Sequence, residues 1–182
     1  ENFLIENVFE PNQVNLTLSH FDRYIVGGAM PVDQKISLPN PDDLKASYFL
    51  ERRELGIINV GGAAIVTADG ERFDLAYKEA LYIGQGTKEV TFESADAGQP
   101  SKLYINSAPA HHQYPTKKVS KAEAEVVELG TPETANHRII NKLLVNSVLS
   151  TCQLQMGMTE LKSGSVWNTM PAHTHTRRME AY

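Results

Sequence analysis

The chain has 182 residues, of which 41% are hydrophobic and 21% are charged, a composition typical of a globular protein with an apolar core. A net charge of -5 argues against a nucleic-acid binder, because neutralising phosphates requires a basic surface. No run of about 18 apolar residues is present, so the sequence predicts no membrane span.

The single cysteine and the two chain ends set further expectations. Cys152 excludes an intrachain disulfide and favours a reducing compartment, which predicts a cytoplasmic protein. The first residues lack the basic and apolar regions of a signal peptide. A start at Glu1 rather than Met, and an end inside a candidate site, predict that the chain is part of a longer protein.

Strand signals dominate the first 110 residues. The stretch LTLSHFDRYIVGG predicts one or two strands that end at Gly27-Gly28, and residues 47–92 are rich in Ile, Val, Tyr and Phe. Asp69-Gly70 separates AAIVTA from ERFDLA and predicts a hairpin, because this pair accepts positive φ. KLYINSA predicts another strand, with Leu103 and Ile105 on one face. Many short strands at close spacing indicate a sandwich or a barrel.

Residues 111–140 differ in character and are predicted to connect two domains, 1–110 and 141–182. This stretch is polar, and its SKAE sequence at Ser120 is typical of a capping box that begins a short helix. Val126, Val127 and Leu129 fit a short helix or a strand equally well. After it, apolar runs return, with a turn predicted at KSG, so a second β domain begins here.

The sequence HTHTRRME near the end of the chain carries candidate metal ligands. His173 and His175 are two residues apart, so on a strand both imidazoles face one point. A turn within TRRM would bring Glu180 to the same point. Two imidazoles and one carboxylate suit zinc, iron, manganese or nickel. The alternative is two surface histidines beside solvated arginines.

The pattern Gly164…His173-x-His175-x4-Glu180 resembles the first sequence motif of the cupin family. That resemblance implies an all-β barrel with a metal near its axis. It also implies a fourth ligand, a histidine from a later motif, which would lie beyond Tyr182.

An internal echo of the motif indicates that the cupin unit occurs twice. SYFLERRELGIINVGG and PAHTHTRRMEAY share the order strand, arginine pair, glutamate, strand. At the positions of the two histidines, the first stretch has Phe49 or Leu50 and Glu51. LYIGQGTKEV resembles the second cupin motif, with Glu89 in place of its histidine. We therefore expect a first barrel without metal ligands and a second, incomplete barrel that carries them. An unrelated β-sandwich is the alternative.

Several stretches resemble a narrower family, the 5-keto-4-deoxyuronate isomerases. They are HFDRYIVGGAMPV, SYFLERRELGIINVGG, SAPAHHQYPTKKV, TCQLQMGMTEL and WNTMPAHTHTRRMEAY. The resemblance implies a two-cupin homohexamer with one zinc ion per subunit, held by His173, His175, Glu180 and the later histidine. It also implies a ketol-isomerase that converts the open-chain 5-keto uronate from pectin breakdown into 3-deoxy-D-glycero-2,5-hexodiulosonate.

Such a reaction needs a base and a cation for the substrate carboxylate. The sequence does not identify the base. Arg177 and Arg178 are candidates for the carboxylate because a guanidinium binds it bidentately. Lys117 and Lys118 are a second candidate pair, for which a solvated charge pair is the simpler interpretation.

Other residues near these candidates are expected to be structural. These are His111 and His112 in a loop, Arg52 and Arg53 in the first barrel, and Trp167 and Met170 in the wall of the second.

Two other functions fit the same motif. A cupin oxygenase could hold Fe(II) on the same ligands, since imidazole and carboxylate serve both metals. A non-catalytic sugar-binding protein with two cupin units is the other alternative, although a purely structural barrel has no need of an inward metal triad.

Overall fold

The computed structural model describes residues 4–168, 173–176 and 179–182, and its regular structure is almost entirely β. The strands in the described residues are β1 Val14–Leu18, β2 Ile25–Ala29, β3 Ile36–Ser37, β4 Arg53–Asn59, β5 Ala64–Ala68, β6 Glu71–Leu75, β7 Ala80–Ile83, β8 Val90–Ser94, β9 Leu103–Pro109, β10 Lys117–Val119, β11 Glu125–Leu129, β12 Arg138–Leu144 and β13 Met156–Leu161. Short 3-10 helices occupy Asp42–Leu44, Lys121–Glu123 and Pro132–Thr134. The predicted all-β class is confirmed. In the part of the chain that is described, no helix is long and apolar enough to cross a membrane.

The strands form three antiparallel sheets. A six-stranded sheet has the order β1-β2-β9-β4-β7-β10, and a four-stranded sheet has the order β3-β8-β5-β6. The third sheet contains β11, β12 and β13. Every named pairing is antiparallel, which agrees with the meander and hairpin connections expected for a barrel or sandwich.

The first core lies between the six-stranded and four-stranded sheets. Alternate residues of β4 and β9 point into it, such as Leu55, Ile57, Leu103 and Ile105, all fully buried. Phe92 on β8 faces them from the other sheet. Alternation along each strand therefore places one face of each sheet in a common apolar interior.

The six-stranded sheet is also covered on its other face, by the third sheet and the loop before β13. Ile58 and Tyr82 pack there against Leu144, Leu154 and other apolar residues. Gly56 marks the closest approach, since a Cβ atom at this position would lie 2.3 Å from the Sδ atom of Met156. Because both faces are covered, β4 is buried along all seven residues.

The local predictions from turn and cap residues are confirmed. Asp69 and Gly70 both have positive φ and join β5 to β6 in a hairpin. The predicted capping box is present at Ser120 and Glu123, at the start of a 3-10 helix. The stretch left open between helix and strand is a strand, β11, which pairs along its whole length with β12.

Residues 111–140 contain strands that join both neighbouring regions. β10 extends the six-stranded sheet through its pairing with β7, whereas β11 belongs to the third sheet. The predicted boundaries at residues 110 and 140, and the interpretation of the third sheet as the start of a second barrel, stay predictions.

An ion-pair cluster joins the third sheet to the loop before β7. The Glu160 carboxylate on β13 contacts the ammonium groups of Lys78 and Lys121, and it accepts a hydrogen bond from Asn141 at 2.9 Å. The Lys78 and Glu160 side chains are only 19% and 23% exposed. The hydrogen bond from Lys78 is the main cause that lowers the pKa of Glu160 from 4.5 to about 2.

Replacing Glu160 with Gln should lower the free energy of unfolding by about 1–2 kcal/mol at pH 7, since partly exposed ion pairs are screened by solvent. A depressed pKa stabilises the fold fully above about pH 4.5, and this contribution is lost as the pH falls towards 2. The difference between wild type and variant should therefore shrink on acidification. Urea unfolding at pH 7, 4 and 2.5 measures it, with the exposed Glu89→Gln as control. An equal difference at all three pH values would contradict the prediction.

Candidate metal centre

Two imidazole rings converge near the end of the chain. The Nε2 atoms of His173 and His175 lie 2.9 Å apart, and their ring centroids are 4.9 Å apart. Residues 173–176 do not belong to a strand, since no neighbouring strand pairs with them among the described residues. The predicted convergence of the two histidines is therefore present without the strand on which it was expected.

Glu180 lies on the other nitrogen of the second ring. Its Oε1 atom contacts Nδ1 of His175, and its Oε2 atom accepts a hydrogen bond of 2.8 Å from the Tyr182 hydroxyl. The same bond is the main cause that raises the pKa of Tyr182. His175 thus links His173 and Glu180 in one chain of polar contacts. In the described residues, no three histidine, cysteine or acidic side chains already surround a single point.

The chemistry of these donors fits a divalent ion. Two nitrogen ligands at about 2.0–2.1 Å from a tetrahedral zinc ion lie about 3.3 Å apart, close to the 2.9 Å between the two Nε2 atoms. A carboxylate on Nδ1 holds the proton of His175 on that nitrogen and leaves Nε2 with its lone pair. The distance between the two Nε2 atoms is therefore close to that expected for two ligands of one ion, and Glu180 lies on the other nitrogen of His175.

The centre lines a cavity of about 670 Å³ between this segment and two sheets. His175, Glu180 and Tyr182 form one side of it. The opposite side consists of Tyr104 and Asn106 on β9 together with residues of β12 and β13. The outward face of the six-stranded sheet therefore contributes to the surroundings of the histidine pair.

Two buried polar atoms of this cavity have no well-formed hydrogen bond to a described residue. The Tyr104 hydroxyl and Oδ1 of Asn106 form no hydrogen bond with any described residue. Burial raises the pKa of Tyr104, so its hydroxyl stays protonated at neutral pH. Unpaired polar atoms are costly in a protein interior, and their presence is typical of a cavity that receives a polar ligand.

Comparison with known families identifies the chain. Residues 4–182 match the sequence model of the KduI/IolB family. The chain belongs to the KduI/IolB family. Members of this family with the name 4-deoxy-L-threo-5-hexosulose-uronate ketol-isomerase are similar over nearly all of its length. A protein from Formosa agariphila is 61% identical over 180 residues, and one from Bacteroides fragilis is 63% identical over 180 residues.

These alignments cover 99% of this KduI/IolB chain but only 64% of each relative. The chain therefore spans just under two thirds of the length of the curated relatives it matches. A more distant relative of the same name, from Lachnoclostridium phytofermentans, is 53% identical over 182 residues, and the chain covers 66% of it.

A solved structure supports the fold alone. An IolB-like protein from Salmonella typhimurium aligns with 70% of this chain and 47% of its own, with a TM-score of 0.54 and 20% sequence identity. This likeness agrees with an all-β architecture for the KduI/IolB family.

The candidate carboxylate-binding residues lie in different places. Arg177 and Arg178 lie outside the described residues. Lys117 and Lys118 are on β10, and neither lines the cavity beside His175. Lys118 forms an ion pair of 2.6 Å with Glu79 and donates a hydrogen bond to the carbonyl of Asp74. Lys118 thus joins β10 to β6 and to the loop before β7. A role in substrate binding stays a prediction for all four residues.

The residues expected to be structural can be located in part. The His112 ring packs edge-on against Tyr114 at 4.6 Å, and its carbonyl accepts a hydrogen bond from Cys152. Arg53 is buried at the start of β4, whereas the neighbouring Arg52 is exposed. Trp167 is half-buried, and Met170 lies outside the described residues.

A buried acidic residue was missed by the analysis of the sequence. Glu54 on β4 is fully buried and accepts hydrogen bonds from the backbone N–H groups of Cys152, Gln153 and Leu154 and from the Tyr82 hydroxyl. Burial, and after it the hydrogen bond to Glu54, raise the pKa of Tyr82. A signal was present in the sequence, because a carboxylate within the apolar run of a central strand requires partners.

Proposed function

We propose that the chain forms the larger part of a 4-deoxy-L-threo-5-hexosulose-uronate ketol-isomerase. The observation that carries this proposal is 61–63% identity over 99% of the chain to proteins of that name. The paired histidines with an adjacent glutamate support it, because they provide a site for the ion that such chemistry can use. The substrate is the open-chain 5-keto uronate, and the product is 3-deoxy-D-glycero-2,5-hexodiulosonate.

The proposed metal is zinc, held by His173, His175 and Glu180. A fourth ligand, a histidine, would come from the part of the relatives' length that the chain does not span. A divalent ion bound there would supply Lewis-acid polarisation of the substrate carbonyl without changing its oxidation state.

Contacts among Glu180, Tyr182 and the two histidines position the side chains of the proposed centre. Glu180 contacts Nδ1 of His175, on the side of the ring away from Nε2, whereas Nε2 faces His173. Binding of the ion by all three residues therefore requires the Glu180 carboxylate to move from Nδ1 towards the two Nε2 atoms. Tyr182 in turn holds the carboxylate of Glu180. The isomerisation also requires a base that takes the proton from C2.

Glu180 offers a direct test of the centre. Replacing Glu180 with Gln in the full-length protein should lower zinc affinity at least about 30-fold, because a neutral amide does not bind the ion as a carboxylate does. Competition with a chromogenic chelator measures this affinity. The matched control is Glu128→Gln, since Glu128 contacts a different imidazole, His137, at 2.5 Å. Wild-type affinity in Glu180→Gln would contradict the proposed centre.

The substrate carboxylate is proposed to bind a cation near the centre. Arg177 and Arg178 are adjacent in sequence to His175, so one of them is the first choice for a bidentate contact. Lys117 and Lys118 on β10 are the second candidate pair. Lys117 forms only a weak hydrogen bond, of 3.5 Å, to the carbonyl of Val148 in the described part of the chain.

The assembly and location of the protein are proposals as well. A cytoplasmic homohexamer is the proposed state. Exposed strand edges such as β1 support self-association, since an unpaired edge must be covered or protected. The lone cysteine supports a reducing compartment.

The proposed activity is tested on the full-length protein. Incubation with the 5-keto uronate under anaerobic conditions should give the 2,5-diketo product, and metal analysis should give zinc. Activity that requires oxygen and iron would contradict the proposal and indicate the oxygenase instead.

A further inference from the structure

A second cavity, of about 520 Å³, opens at the end of the first barrel. It lies between the start of β4, the end of β9 and two loops, one before β2 and one around the 3-10 helix at Asp42–Leu44. None of the residues that line it lines the cavity beside His175. Its volume is within the range of about 300–1,000 Å³ that is usual for small-molecule sites.

The charge of this cavity is strongly positive. Four cationic side chains line it, against one carboxylate, that of Asp43; the cations are Arg23, Lys45, Arg52 and Arg53. In the described part of the chain, no acidic side chain forms an ion pair with any of the three arginines. The three arginines therefore line the cavity without an ion-pair partner in the described part of the chain.

Arg53 is the central cation, and its side chain is buried. Only 6% of this residue is exposed. Its Nε and Nη2 atoms donate to the hydroxyl and carbonyl oxygens of Ser107, and Nη2 also donates to the carbonyl of Arg23. All of these acceptors are neutral, and no described residue accepts a hydrogen bond from Nη1. One edge of the guanidinium is therefore fixed to the barrel while Nη1 is left for a ligand.

The energetic state of Arg53 agrees with this geometry. Burial is the main cause that lowers its pKa to about 10, and the positive charge of Arg23 lowers it further. The guanidinium is still charged at neutral pH. A buried charge beside a like charge is unfavourable unless an opposite charge approaches it.

Two loops are held in place around this cation. Arg23 and Lys45 both have positive φ, a conformation that costs non-glycine residues free energy. The carbonyl of Arg23 accepts its hydrogen bond from Arg53, and the carbonyl of Lys45 accepts one of 2.6 Å from Arg52. Arg52 and Arg53, at the start of β4, thus fix the backbone from which the other two cations extend.

The remaining walls are apolar. Leu18, Leu44, Phe49 and Pro109 line the same cavity, and the Arg53 guanidinium carbon lies 6.0 Å from the centre of the Phe49 ring. A simple inorganic ion would leave these walls in contact with water. An anion with a carbon skeleton would cover them and still present its charge to the guanidinium groups.

We propose that this cavity is a second ligand site, which binds a small organic anion through its carboxylate. The carboxylate lies against Nη1 of Arg53 and the Arg23 side chain, in the geometry for which a guanidinium is suited. The site is in the first barrel and contains no residue of the metal centre. It therefore does not depend on the proposed isomerase activity.

Binding of D-glucuronate to the full-length protein tests the site, measured by isothermal titration calorimetry in the His175→Ala variant so that the metal centre does not contribute. We expect saturable binding that weakens with added sodium chloride. Replacing Arg23 with Gln should weaken it at least about 10-fold, since this side chain contributes charge but forms no hydrogen bond that supports the fold among the described residues. Lys88→Gln, an exposed cation outside the cavity, is the matched control and should bind as wild type does.

Inorganic phosphate in the same experiment separates an organic-anion site from a general anion site. The proposal requires D-glucuronate to bind at least several-fold more tightly than phosphate. Equal binding of the two, no heat of binding for D-glucuronate, or unchanged binding in Arg23→Gln would each overturn it. Arg53→Lys provides a second measurement, because it keeps the charge but removes the planar fork and should also weaken binding at least about 10-fold; circular dichroism verifies that this variant is folded.

Discussion

Replacing Glu54 with Ala should lower the free energy of unfolding by about 3–5 kcal/mol. The carboxylate is fully buried and accepts four hydrogen bonds of 2.7–2.8 Å, three from the backbone N–H groups of residues 152–154 and one from Tyr82. Without it, these donors remain in the interior with no acceptor. Each unsatisfied buried donor costs free energy, so the loss exceeds that of an ordinary surface substitution.

The pattern of acceptors predicts a graded series. Oε1 of Glu54 accepts from two of the backbone N–H groups, and Oε2 accepts from the third and from Tyr82. Glu54→Gln keeps the shape but turns one acceptor into a donor that faces other donors. It should therefore cost about 1–3 kcal/mol, less than Glu54→Ala. Tyr82→Phe removes only one donor and should cost least.

Denaturant unfolding of the full chain measures the series, with Glu71→Gln as a control because Glu71 is exposed on β6. Hydrogen exchange should also speed up at the N–H groups of residues 152–154, which lie about 100 residues from Glu54 along the chain. Unfolding of Glu54→Ala at the wild-type denaturant concentration would show that this carboxylate does not join the two regions.

Local signals in the sequence predicted local structure well. Asp69-Gly70 specifies its hairpin because positive φ is required at both positions, and this requirement depends on no distant residue. The capping box at Ser120 is likewise complete within four residues. β11 could not be assigned, because its residues are exposed or half-buried and its partner β12 provides the evidence for a strand.

Features that depend on contacts between distant parts of the chain could not be predicted from local sequence patterns. The burial of β4 on both faces arises from the third sheet, and nothing within its own seven residues identifies that partner. At the metal centre, the spacing of His173 and His175 was sufficient to predict their proximity. The contact between Glu180 and Nδ1 was not predicted, because it depends on the path of the chain between the two residues.

The other large effect is expected at the proposed metal centre, on replacement of a single histidine. Nε2 of His175 faces Nε2 of His173 at 2.9 Å, and Nδ1 contacts Glu180. The His175 ring therefore contacts both other proposed ligands. Alanine at this position removes one nitrogen ligand of the ion and also the ring that Glu180 contacts. A water molecule in the place of the imidazole would not restore binding, because water is a weaker ligand of zinc than imidazole nitrogen.

Replacing His175 with Ala in the full-length protein should reduce zinc from about one ion per subunit to nearly none, and should lower turnover of the 5-keto uronate at least about 1,000-fold. The fold of the first barrel should be unaffected, because both side chains of the histidine pair are exposed and neither belongs to either apolar core. The matched control is His111→Ala, an exposed loop histidine, which should keep zinc and activity at wild-type levels.

Metal analysis, turnover and circular dichroism on both variants decide the outcome. If His175→Ala retains its zinc, the two histidines are surface residues and the proposed centre is wrong. If zinc is lost while turnover persists, the ion has a structural role and the isomerase chemistry takes place without it.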